Sequence, residues 1–165
     1  MIGTTRLAAA LALALACGAA APANAQLAAH KDLTLPIAVA MAQTAVQTCA
    51  AQGNKVSVHV VGRTGEVLVA MRGDGTGPHT MENSMRKAYT SRMQRIPSGK
   101  FADNVKSNPT AGALHLANMI PAQGALPIVV DGDTIGAIGV SGSPGGDKDE
   151  ACAKAGIDKV AEQLK

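Results

Sequence analysis

A histidine that follows a glycine-rich loop and opens a helix is the strongest candidate for chemistry in this sequence. The loop is Gly73-Asp74-Gly75-Thr76-Gly77-Pro78, and His79 comes directly after it. Loops held by rigid elements are where binding side chains concentrate. The helix that His79 opens carries Arg86, Lys87, Arg92 and Arg95, with Met81, Met85 and Met93 among them. An imidazole for iron, thioethers against a ring and cations for carboxylates suit a flat, apolar, dianionic ligand, a description that haem fits. The same residues also make an amphipathic helix with a solvated basic face and a Met-rich core side. Spacing alone favours that plainer reading, because runs of charge usually face solvent.

Other chemistries find less support. Ser141 lies in Gly139-Val140-Ser141-Gly142, which is not a GxSxG elbow, and a loop rather than a helix follows it. The four histidines lack the HExxH spacing of a zinc protease. His59 falls in mid-strand, where a structural role is the commoner one. The glycine loop has neither the Lys-Ser/Thr ending of a phosphate loop nor a strand-GxGxxG-helix setting. With one Phe, one Tyr and no Trp, the chain lacks the aromatic platform that stacks single-stranded bases, and its net charge of +3 does not call for nucleic acid.

The first residues read as an export signal. Arg6 gives a positive start, Leu7 to Cys17 is apolar and uncharged, and Ala23-Asn24-Ala25 is a small-x-small cleavage site before Gln26. The apolar run is too short for the roughly 20 residues a bilayer core needs. No later stretch is apolar enough to span a membrane. Residues 1–25 are thus expected to be removed, leaving one domain, 26–165, in a periplasm or outside the cell. In that setting the two cysteines that remain, Cys49 and Cys152, are expected to pair.

The elements that must position His79 can be read from periodicity. Leu33 to Gln52 has helical spacing, with Pro36 in its first turn and Gly53 at its end. Val56 to Val61 and Val67 to Met71 form a hairpin about Arg63-Thr64-Gly65-Glu66. A helix covers Thr80 to Met93, and Pro97-Ser98-Gly99-Lys100 breaks it. A short helix or turn follows at Phe101 to Val105, and Thr110 to Met119 is irregular with some helical character. Gly124 to Val130 and Thr134 to Ser141 form a second hairpin about Asp131-Gly132-Asp133. A last helix runs from Asp147 to Gln163. This order gives an α+β fold with an antiparallel sheet and helices packed on it. If the hairpins meet through their first and last strands, Cys49 and Cys152 come together.

The chain resembles the GlcG/HbpS-like family, which includes the C-terminal domain of PduO-type proteins. The resemblance rests on Val56–Gly65 with Val67–Gly75, Arg86-Lys87-Ala88-Tyr89-Thr90, Leu126-Pro127-Ile128 with Asp131-Gly132, Gly136 to Gly142, and Asp149-Glu150. It implies an antiparallel five-stranded sheet flanked by helices in a profilin-like layering, and homo-oligomers. It also implies haem binding, known for several members, with links to haem handling and redox sensing. Members differ in using histidine or threonine on the iron; His79 and Thr80 are adjacent here, and imidazole is the stronger ligand. On this reading the protein is an exported haem-binding protein that scavenges, stores or senses haem. His79 is the axial ligand, Arg72, Arg86 and Lys87 meet the propionates, and Thr80, Met81 and Met85 line the pocket. Two alternatives stand beside it. One is an enzyme or accessory protein acting on a small hydroxy acid, with Arg72, Asp74 and Lys87 around the carboxylate. The other is an extracytoplasmic module that regulates a sensor kinase.

Overall fold

The computed structural model describes residues 28–165, so the expected export signal and its cleavage site lie outside the described residues. Lys31–Lys165 form one compact unit. Its first helix, α1 (Leu35–Ala51), buries Ala38, Met41, Ala42, Ala45 and Cys49. That spacing keeps one stripe turned inward. Strands β1 (Ser57–Val61) and β2 (Val67–Arg72) follow, then α2 (His79–Gln94) and α3 (Ser98–Ser107). The chain ends with β3 (Ala125–Val130), β4 (Asp133–Ser141), α4 (Gly146–Lys159) and a 3-10 turn at Ala161–Leu164.

The two hairpins join through their first and last strands. The order is β2-β1-β4-β3, with β1 antiparallel to β4 in the register Ser57↔Ser141, Val58↔Val140 and His59↔Gly139. The second hairpin turns on Asp131 (φ 50°) and Gly132 (φ 79°). Two positive φ values in succession make the mirror-image turn whose twist matches that of the strands.

Alternation gives the sheet two unlike faces. Val58, Val60, Ile138 and Val140 join Met41, Ala45, Cys152 and Ala153 in the main core, beneath α1 and α4. The opposite face, under α2, is small and polar: Ser57, His59, Ala137, Gly139 and Ser141 are all buried. Helix α2 comes very close there. A Cβ on Gly139 would lie 2.3 Å from the Ser84 carbonyl oxygen and 2.6 Å from the Ala88 nitrogen.

Some expectations need correction. The sheet has four strands rather than five. The stretch between β2 and β3 is occupied by α2, α3 and a 3-10 turn at Gly112–His115. Pro109 and Pro121 interrupt the part of it that is not helical, which suits no sheet interior. The break after α2 is real but falls earlier than expected, at residues 95–97 rather than 97–100. Pro97 is the extended residue before α3 (ψ 138°), and Ser98 is already helical. The Ser98 hydroxyl accepts the Ala125 N–H at 2.9 Å, which ties α3 to the start of β3.

Candidate ligand-binding site

His79 is the first residue of α2 and its side chain is exposed. Gly77 makes room for it: a Cβ at Gly77 would lie 2.7 Å from His79 Cε1 and 3.0 Å from Nδ1. Any larger residue there would push the imidazole aside. The ring borders an open cleft of about 300 Å³ lined by His79, Glu82, Asn83 and Arg86. Positions 79, 82, 83 and 86 fall at i, i+3, i+4 and i+7, one face of a helix. Arg86 is half-buried and donates from Nη2 to the Met119 carbonyl at 2.8 Å and from Nη1 to Glu82 at 3.4 Å. Asn83 donates to the Ser141 hydroxyl at 3.1 Å, which fixes the floor of the cleft to β4.

Below the cleft the helix is pinned by hydroxyls. Thr80 Oγ1 donates to the Gly77 carbonyl at 2.8 Å and lies 2.7 Å from Ser57 Oγ. Thr76 Oγ1 donates to the Gly73 carbonyl at 3.1 Å. These bonds hold the glycine loop in the shape that presents His79. Further along, His59 Nδ1 and Ser84 Oγ are 2.8 Å apart. Burial holds the His59 pKa below its usual 6.5.

The expected residues therefore separate. His79 and Arg86 meet in the cleft. Thr80 and Lys87 belong to the stripe facing the sheet, with Ser84, Ala88 and Ser91, and are buried there. Lys87 donates to Asp149 at 3.0 Å and to the Val140 carbonyl at 3.1 Å, so its charge is used inside the fold. Arg72 is exposed and holds Thr76 through its Nε (3.1 Å) and Nη2 (2.9 Å), away from the cleft lining. Met81 and Met85 are half-buried on α2 and do not line the cleft. Glu82 and Asn83 were missed, though their helical spacing from His79 was in the sequence.

Chemically, the cleft offers one open imidazole, one guanidinium, one carboxylate and one amide. Among the described residues no three His, Cys, Asp or Glu side chains converge on a point that would hold a bare metal ion.

Comparison with known proteins bears on this geometry. Residues 33–158 match the family model described as haem degrading protein HbpS-like. The crystal structure of HbpS is 36% identical, with a TM-score of 0.77, covering 81% of this chain and 93% of that one. An uncharacterised 15.0 kDa protein from the dhaT-dhaS intergenic region of Citrobacter freundii is 32% identical over 134 residues, 79% of this chain and 93% of its own length. The structure of PduOC in complex with haem superposes with a TM-score of 0.71 at 20% identity, covering 77% of this chain and 94% of that one; at that identity the likeness is one of fold.

Proposed function

The chain belongs to the HbpS-like family, and from that premise we propose that it binds haem at the N-terminal end of α2, with His79 as the axial ligand. The observation that carries the reading is the imidazole held open over Gly77, with Arg86 on the same helix face. A porphyrin iron needs one axial donor from the protein, whereas a bare ion needs several. The cleft supplies that single donor. The bound group would contribute its iron chemistry. The chain's own part would be to present the imidazole and hold a propionate on Arg86.

The test is an absorbance titration of the chain beginning at Gln26 with haemin. A saturable Soret change at one haem per chain is expected. His79→Ala should weaken binding about tenfold or more, a loss of 1.4 kcal/mol or above. A haemin spectrum unaltered by the protein would overturn the proposal, and a Soret band identical in His79→Ala would overturn the ligand.

A role outside the cytoplasm in scavenging, storing or sensing haem is part of the same proposal. It is supported by the leader pattern of residues 1–25 and by the Cys49–Cys152 disulfide. Recovery from the periplasm or medium of a protein whose first residue is Gln26 is the expected result. Self-association also belongs to the proposal. It is supported by the two open sheet edges, β2 and β3, which expose Val67 and Val129. Sedimentation of the purified protein would test it.

A further inference from the structure

At the opposite end of α2 from His79, Arg92 is only 8% exposed, yet its Nε is buried with no hydrogen-bond partner. The acids around it are already engaged. Asp133 and Asp32 take the Arg63 guanidinium, and Glu66 takes the N–H and hydroxyl of Thr64. Two further cations stand close: Arg63, and Arg95, which ends the helix in a left-handed conformation at φ 58°. Burial first, then the positive fields of Arg95 and Arg63, disfavour the charged form of Arg92, against an opposing pull from Asp133 and Glu66. A guanidinium stays charged in proteins, so the buried Nε is a donor left without an acceptor, while the acids whose fields reach it, Asp133 and Glu66, spend their hydrogen bonds elsewhere.

The geometry points to an oxyanion-binding site at the C-terminal end of α2, with Arg92 as its anchor and Arg95 and Arg63 at its rim. The ligand class is a carboxylate or a phosphate, since either presents two oxygens to the planar guanidinium fork. The site lies about 20 Å along the helix axis from His79, at 1.5 Å rise per residue. It is therefore separate from the proposed haem cleft and does not rest on that proposal.

The test uses the chain beginning at Gln26 in chloride buffer, titrated separately with inorganic phosphate and with citrate and followed by amide chemical shifts. Saturable shifts centred on Arg63, Arg92 and Arg95 are expected, and the tighter anion identifies the ligand class. Arg92→Met, which keeps the apolar stem, should weaken the tighter anion about tenfold or more, as loss of a charge-assisted bond implies. Arg95→Gln, an exposed change that leaves the core intact, should weaken it several-fold. His79→Ala should leave the affinity unchanged. Absence of saturation with both anions would overturn the site. So would affinities in Arg92→Met and Arg95→Gln equal to the parent's, or shifts centred on His79 and Arg86.

Discussion

Among the described histidines, His59 is the buried one, and it makes stability depend on pH. Its pKa in the fold is below the usual 6.5, so the unfolded chain takes up a proton first as pH falls. The stability it carries is complete above that usual value and is lost as pH drops through it toward the folded value. Thermal unfolding between about pH 7 and pH 5 should show a fall in Tm that is smaller in His59→Gln; parallel curves for the two proteins would refute this. Lys87 acts at the same scale. Its ion pair with Asp149 leaves the two side chains 5% and 3% exposed. Lys87→Met should cost about 3–5 kcal/mol in denaturant unfolding, because it strands a buried carboxylate, and adding Asp149→Leu should recover much of the loss. In the sequence Lys87 looked equivalent to its neighbour Arg86. What separates them is a step of 100° around the helix, which puts one against the sheet and the other in the cleft.

At the scale of elements, the site depends on how closely α2 lies on β1 and β4. Gly139 and the small residues Ala88 and Ala137 permit that approach, and Ser57, His59 and Ser141 meet the hydroxyls and amide of α2. Gly139→Ala should cost about 1–3 kcal/mol by overpacking. It should also weaken haem binding, since lifting α2 moves His79 relative to its loop. Unaltered haem affinity in a folded Gly139→Ala protein would separate the cleft from the packing beneath it. The elements themselves were legible in sequence: alternation gave both hairpins, and helical spacing gave α1, α2 and α4 with small errors at their ends. The contents of the helix faces were less so. A polar stripe usually means solvent, but on α2 the Thr80, Ser84, Lys87 and Ser91 stripe is buried against a polar sheet face. Only the partner surface decides that, and it lies far away in sequence.

For the whole molecule, the antiparallel joining of β1 to β4 brings the end of α1 to α4, and the Cys49–Cys152 disulfide crosses there with a Cα separation of 5.7 Å. Topology made this pairing readable before any coordinates, because two hairpins joined through β1 and β4 leave those helix ends as neighbours. The fifth strand, implied by resemblance alone, had no such support in the residues between β2 and β3. Both cysteines are fully buried in the core, so a reductant reaches the bond only when the chain opens. The native protein should therefore resist dithiothreitol, and reduction should follow unfolding. Once cut, the bond no longer restrains the 103-residue separation between the cysteines in the unfolded chain. The chain-entropy model values that restraint at about 4–5 kcal/mol. Guanidinium unfolding of Cys49→Ala/Cys152→Ala should accordingly show a loss of roughly that size, with haem affinity of the folded fraction retained, since the cleft stands on α2 at the other face of the sheet. A loss well under about 1 kcal/mol would mean that the packing of α1 on α4 holds this end of the molecule without the covalent link.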